Sequence, residues 1–592
     1  MTKIRNKLTA IFGFALFSAL TCQAERVPLW PEGKIPNFQP QQIAATKQET
    51  KTKGFKRSEH TMPYLEWFSS PQEKNRACIL FLSGGGYKAC VDGRWIYRLA
   101  TKFTELGYVC VNLTYRTPRP QGLPIYQTAW QDGQRAIRLV RQSAKERGFD
   151  PEKIGAVGFS AGGHLTVLLG TSALSPAYQP VDDLDKLPGH LNWAVPIYPA
   201  YALSDGLTDK NTENGDGEGV TLSDVFKFDA KTCPMAFFHG GTDVYSPNGS
   251  TQIYRQLRRM KIPAEVHLFA DRGHGFMGNP DKGEQATAYD NWMDRITEFM
   301  RQMNYDGRLE KEIDLMTRYA SDDARREYRK EAIWPEGKTP DLQKHQNEPY
   351  LEWHFPKERK TQAIQIIYSG GGYGNNNPEW FEVTPARRYL NEKGMTVVTM
   401  KYRSPRPQGG LAKHVTAWQD LQRAIRMVRS QATKQGLDPN RIGIMGSSAG
   451  GHLTLMGATT SKQNAYPAID ELDKIPCHVQ WAVAIYPAYA LTDGENGPNK
   501  QGGNGDDAIL VPEFSFDDAT CPMLFIHGDA DGYSPMGSIK CWEQLRRMGI
   551  QSDLHTLAKR GHCFQRNASP GTGSYTWMDR IWEFMNHKQV NQ

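Results

Sequence analysis

Along residues 77–300, short apolar runs alternate with longer stretches in which apolar residues return every three or four positions. The runs at 77–82, 108–113, 154–159, 193–198, 235–239 and 265–269 are too short for helices and predict buried strands. Residues 95–106, 129–145 and 291–300 carry helical spacing, and a further helix begins at 163–169. Strands with little polar alternation, separated by helices, predict an α/β fold: a mostly parallel sheet flanked by helices.

The pattern occurs twice. Trp130-Gln131-Asp132 returns as Trp418-Gln419-Asp420 and Ile197-Tyr198-Pro199-Ala200-Tyr201 as Ile485-Tyr486-Pro487-Ala488-Tyr489, each displaced by 288 residues. Ser83-Gly84-Gly85-Gly86-Tyr87 returns as Ser369-Gly370-Gly371-Gly372-Tyr373, displaced by 286, and Trp30-Pro31-Glu32-Gly33-Lys34 as Trp334-Pro335-Glu336-Gly337-Lys338, displaced by 304. The change in displacement marks an insertion near 40–57 in the first copy, expected to be a surface loop. Each copy is long enough to bury its own core, and 592 residues exceed what one core holds. The expected organisation is a leader at 1–24, domains at 25–300 and 333–592, and a charged helical linker at 301–332.

The leader rests on Lys3, Arg5 and Lys7 ahead of an apolar stretch at 8–20 and the small-residue site Cys22-Gln23-Ala24. This is the pattern of a removed signal peptide and predicts export, to the periplasm or outside the cell. The apolar run is shorter than the ~20 residues of a spanning helix, so no stable membrane insertion is expected. Removing the three cations lowers the net charge from +7 to +4. So little charge over two domains, with no basic run interleaved with aromatics, predicts no nucleic-acid partner. Nine cysteines show neither a disulfide framework nor zinc-ligand spacing.

The candidate chemistry centres on Gly158-Phe159-Ser160-Ala161-Gly162 and Gly446-Ser447-Ser448-Ala449-Gly450, each between a predicted strand and helix. That is the setting of a nucleophile elbow, where a sharp turn holds a serine hydroxyl above the sheet. A serine needs a base, and the base needs an orienting group. Downstream lie Asp243 and His274 in the first copy and Asp531 and His562 in the second, in the order Ser, Asp, His, all displaced by 288. His164, His452, His239, His527, His267 and His555 read as packing residues. Asp529 competes with Asp531 but faces Gly241 in the other copy. Backbone amides of Gly85, Gly86 and Ala161, and of Gly371, Gly372 and Ala449, are the expected oxyanion donors. A phosphate cradle is disfavoured because no Lys-Ser/Thr follows the glycines.

With these residues in view, both copies resemble the α/β-hydrolase superfamily. The triple-glycine motif, the elbow and the pairs Tyr115-Arg116 and Tyr402-Arg403 are similar to the acetyl-esterase and hormone-sensitive-lipase-like branch. Ser83 and Ser369 stand where that branch has His, a variant similar to bacterial carbohydrate esterases that remove acetyl or feruloyl groups from xylan-type polysaccharide. The resemblance implies a serine carboxylester hydrolase acting on an acylated polysaccharide or oligosaccharide, without metal or organic cofactor. A serine peptidase or lipase, or one copy kept as a binding module, are the alternatives. The polar segments 204–220 and 492–508 suit a sugar better than a lipid.

Overall fold

The computed structural model describes residues 25–39, 50–52, 55–58, 62–68, 77–92, 94–204, 220–276, 292–318, 328–492 and 508–588. The expected leader and most of both polar segments lie outside the described residues.

Sixteen strands form one sheet. In the first half they are β1 (Glu25–Pro28), β2 (Tyr64–Phe68), β3 (Cys78–Leu82), β4 (Val109–Thr114), β5 (Ile154–Phe159), β6 (Trp193–Ile197), β7 (Met235–Gly240) and β8 (Ala264–Phe269). In the second they are β9 (Tyr328–Ala332), β10 (Tyr350–His354), β11 (Ile364–Tyr368), β12 (Thr396–Lys401), β13 (Ile442–Ser447), β14 (Trp481–Ile485), β15 (Met523–Gly528) and β16 (Asp553–Leu557). Spatial order in the first half is β1-β2-β4-β3-β5-β6-β7-β8, and the second half repeats it. From β4 to β8 neighbours run parallel, whereas β1 and β2 are antiparallel additions at the edge. The strand side chains are apolar on both faces because both are covered: Leu80 and Leu82 pack in one cluster with Ala156 and Leu168, Ile79 and Phe81 in another with Phe103 and Trp193.

The halves join edge to edge. β8 pairs antiparallel with β16, His267 opposite His555 and Leu268 opposite Leu554. An apolar parallel strand left open would expose unpaired amides and carbonyls, and this pairing covers them. Polar groups buried in the two strands complete the seam. Glu265 Oε1 accepts from Ala558 N at 2.8 Å, Asp553 Oδ1 from Ala270 N at 2.7 Å, and Thr556 Oγ1 from Val266 N at 2.8 Å. On flanking helices Arg255 meets Glu543 at 2.6 Å, Arg295 meets Glu583 at 2.6 Å and Arg580 meets Glu298 at 2.7 Å.

Two expectations change. The insertion is not simply a loop: Thr50–Thr52 and Phe55–Ser58 form a hairpin that adds to Cys90–Asp92. Nor is the described part of 301–332 a continuous helix. The preceding helix stops at Gln302, Leu315–Arg318 is a single turn, and Tyr328–Ala332 is strand β9. Alternation of Arg, Lys and Glu reads as a charged helix, but the segment is the counterpart of edge strand β1, where one side of the strand faces solvent. Among the described residues no helix is long and apolar enough to cross a membrane, and the eight described cysteines form no disulfide.

Candidate active site

The recurring Trp, Tyr-Arg and Trp-Gln-Asp motifs build one buried scaffold. Arg116 lies against Asp132 at 2.9 Å, and Trp30 Nε1 donates to the same carboxylate at 2.8 Å. Arg403, Asp420 and Trp334 repeat the arrangement. Next to Arg116, the Tyr115 hydroxyl donates to the Ser83 carbonyl at 2.7 Å, and so fixes the entry of the triple-glycine loop. Tyr402 does the same for Ser369 at 3.1 Å.

At the end of β5 the chain reverses into the helix Ala161–Thr171. Ser160 takes φ 55°, ψ −116° and Ser448 φ 56°, ψ −120°, strained values for a residue with a side chain. The turn closes only because Gly162 lacks a Cβ, which would stand 2.2 Å from the Leu82 carbonyl oxygen. Gly84 lies directly over Ser160: a Cβ there would meet Ser160 Cβ at 3.1 Å. Gly85, at φ +129°, tucks against the Ala89 carbonyl in a turn no side chain could enter. Among the described residues no group accepts from the amides of Gly85, Gly86, Gly371 or Gly372. Ala161 and Ala449 open their helices, where N–H groups have no intrahelical acceptor.

Ser160 Oγ stands 2.7 Å from His274 Nε2, and His274 Nδ1 stands 2.9 Å from Asp243 Oδ2. In the second half Ser448 Oγ to His562 Nε2 is 2.8 Å and His562 Nδ1 to Asp531 Oδ2 is 2.9 Å. All six residues named from the sequence therefore meet in two sets of three. Each histidine is partly open to solvent while its aspartate is wholly buried. Burial pushes the Asp243 carboxyl up, but hydrogen bonds from His239 and His274 outweigh it and hold the group down at about 2, and Asp531 behaves alike with His527 and His562. Asp529 has another place. It takes the Tyr254 hydroxyl at 2.9 Å and the Arg258 guanidinium at 3.2 Å across the seam.

Sequence reasoning missed two supports. His239 Nε2 lies 3.3 Å from Asp243 Oδ2, and its Nδ1 is held by Ser250 Oγ at 2.9 Å. His527 and Ser538 repeat this. Tyr198 and Tyr245 clasp the His274 ring, with centroids 4.9 and 4.8 Å away, as Tyr486 and Tyr533 clasp His562. The repeated Ile-Tyr-Pro-Ala-Tyr motif held that signal for Tyr198 and Tyr486. His164 and His452 do pack, each with its Nδ1 2.8 Å from a tyrosine hydroxyl, that of Tyr87 or Tyr373.

The surroundings of the two serines differ. Behind Ser160, Phe159 packs against Tyr198 and Trp292. Behind Ser448 the equivalent Ser447 donates to Gln565 at 2.9 Å, and Glu382 accepts from Gly370 N at 2.6 Å and from the Tyr486 hydroxyl at 3.3 Å. Burial raises the Glu382 carboxyl to about 7.

An endo-1,4-beta-xylanase B of Butyrivibrio fibrisolvens is 24% identical over 36% of this chain and 34% of its own. An acetylxylan esterase of Xylanibacter ruminicola is 25% identical over 40% of this chain and 45% of its own. The chain thus spans between a third and a half of the length of these relatives. A crystal structure of an acetyl ester-xyloside bifunctional hydrolase from Caldicellulosiruptor lactoaceticus aligns at 23% identity and TM-score 0.37 over 49% of this chain and 99% of that one. The BD-FAE family model matches residues 67–190 and 351–540, more than half of the chain, and takes in Ser160, Ser448 and Asp531. By that match, with the elbow and triple-glycine loop in the same place in each half, the chain belongs to the BD-FAE family.

Proposed function

We propose that the protein is a serine carboxylester hydrolase with two working sites, that it removes acetyl or feruloyl groups from polysaccharide such as xylan, and that residues 1–24 export it to where such polymers lie. The observation that carries the reading is the pair of Ser–His–Asp sets, each within hydrogen-bond reach and each beneath a glycine loop with amides to offer. In each, the histidine Nε2 takes the serine proton as Oγ attacks the ester carbonyl, and the aspartate holds the imidazole and stabilises its cation. The oxyanion that forms is received by the amides of Gly85, Gly86 and Ala161, or of Gly371, Gly372 and Ala449. The imidazolium then protonates the departing sugar oxygen, leaving an acyl-serine. Water, deprotonated by the same histidine, releases the acid and restores the serine. None of these steps calls on a metal or organic cofactor.

The polysaccharide part draws support from the names of the xylanase and acetylxylan esterase relatives and from the polar segments at 204–220 and 492–508. Two sites on one chain raise the effective concentration of the second near a multiply acylated polymer. The test compares kcat/KM on acetylated xylo-oligosaccharide and on p-nitrophenyl palmitate. The sugar ester is expected to be preferred, and a tenfold preference for the lipid, about 1.4 kcal/mol in transition-state binding, overturns the reading.

A further inference from the structure

One cluster in the second half has no counterpart among the described residues of the first. His414 precedes the helix Val415–Ala432, His452 lies in the helix that follows Ser448, and Glu513 belongs to the chain that returns after the 492–508 segment. One ligand atom from each lies within 4.8 Å of the others. His452 Nε2 to Glu513 Oε1 is 3.5 Å and His414 Nδ1 to the same oxygen is 3.9 Å. At the matching positions the first half has Tyr126, His164 and Val225. The ring of Tyr126 takes the place of the His414 ring, 5.5 Å from His164 where the histidine pair is 5.4 Å apart. The pocket is therefore the same, but the first half keeps only one of the three donors, His164.

From this geometry we propose that His414, His452 and Glu513 form a binding site for a divalent transition ion, of which zinc is the best match. Three observations carry it. His452 is wholly buried, and its Nε2 points into the cluster, where Glu513 Oε1 at 3.5 Å stands farther off than in a well-formed hydrogen bond. Its other nitrogen, Nδ1, lies 2.8 Å from the Tyr373 hydroxyl. Donating there fixes the ring and leaves the Nε2 lone pair for an ion, the usual outer support of a metal-binding histidine. Finally, bonds of about 2.0–2.2 Å in a tetrahedral site put ligand atoms roughly 3.3–3.6 Å apart; the two histidine nitrogens already stand 3.5 and 3.9 Å from Glu513 Oε1, and the widest spacing in the cluster, within 4.8 Å, closes with a shift of about an ångström.

The donor set selects the ion. Two imidazoles and one carboxylate suit zinc and its neighbours, whereas calcium and magnesium want oxygen ligands. Lys413, whose ammonium rests 3.7 Å from the centre of the Tyr489 ring, adds positive charge nearby. It penalises an ion held by charge alone more than one bound through imidazole nitrogen. Glu513 and His414 are partly open to solvent, which gives the ion a way in and a place for water as fourth ligand. A bound ion would pin the returning chain at Glu513 to both helices beside Ser448.

The test is zinc titration of the full chain after chelation, by calorimetry, against His414→Tyr and Glu513→Gln variants whose folding is checked by labelling of Ser448 with a fluorophosphonate. Expected is one equivalent bound by the native chain and at least a tenfold weaker affinity in either variant. Cobalt loading of the native chain gives a second reading that needs no variant: visible d–d bands of a four- or five-coordinate nitrogen and oxygen site, without thiolate charge transfer. No binding at micromolar zinc, equal binding by native and variant chains, or an octahedral cobalt spectrum overturns the proposal.

Discussion

His267 Nδ1 lies 3.0 Å from His555 Nδ1 where β8 meets β16, and the other nitrogen of His267 is 3.1 Å from Glu265 Oε2. Burial raises the Glu265 carboxyl to about 8 and drives both imidazoles well down, so near neutrality the chain of groups is uncharged. Protonated Glu265 then donates to His267, and His267 donates to His555.

The sign of the resulting pH dependence follows. A carboxyl that ionises near 4.5 in the unfolded chain and near 8 in the folded one favours the folded state below 4.5, and this contribution is lost as pH rises to 8, by up to about 1.4 kcal/mol per unit. Asp553, raised by burial to about 6, adds the same trend between its usual range and 6. Urea unfolding of the native chain and of Glu265→Gln, followed from pH 5 to 8, is expected to show the slope flattened in the variant. Equal slopes contradict the assignment.

Serine labelling separates two working sites from one. A fluorophosphonate should attach twice to the native chain, once to Ser160→Ala and once to Ser448→Ala, and not at all to the double variant. Intact mass reads the result, and a single label on the native chain means that one site is idle.

Asp531 and Asp529 stand two residues apart with different duties. Asp531→Asn should lower the Ser448-dependent kcat by roughly 10³–10⁴, as the loss of the orienting carboxylate does in a triad. Asp529→Asn should leave that rate within a few-fold but destabilise the seam by about 1–3 kcal/mol, because half-buried Arg258 loses its charge partner. Measuring kcat in a Ser160→Ala background beside unfolding midpoints distinguishes them, and the reverse pattern would exchange the two assignments.

Glu382 should mark the second site in its pH profile. Ionising at about 7 beside Gly370 and the nucleophile, it opposes the oxyanion, so on its account kcat/KM through Ser448 falls as pH rises past 7. In the Ser160→Ala chain, Glu382→Gln should remove that fall, while activity through Ser160 shows none. An unchanged profile in the variant dismisses the role.

The fold and the six residues of the two sets were legible because each leaves a local mark: apolar runs of strand length, glycines at a tight reversal, and the same spacing twice. What escaped was set by contacts between distant segments. The helix Asn248–Arg259 opens with Asn, Gly, Ser and Thr and shows few apolar positions, so it reads as loop until its burial against β8 is seen. His239 looked like any buried strand residue, since only the folded chain shows Asp243 within its reach. Glu265 and Asp553 are odd acids in apolar strands, and their reason lies across a junction that no periodicity announces.

The antiparallel junction also frees the chain from a rule that binds paired identical subunits. In a symmetric dimer every substitution appears twice and must satisfy its own two-fold-related copy. Here Asp529 takes Tyr254 and Arg258 on one side, while on the other Gly241 offers only its carbonyl to Arg546. Linking both copies in one polypeptide lets each margin of the joint vary alone, and with it the ground behind each serine, so one molecule holds Ser160 and Ser448 in two unlike surroundings.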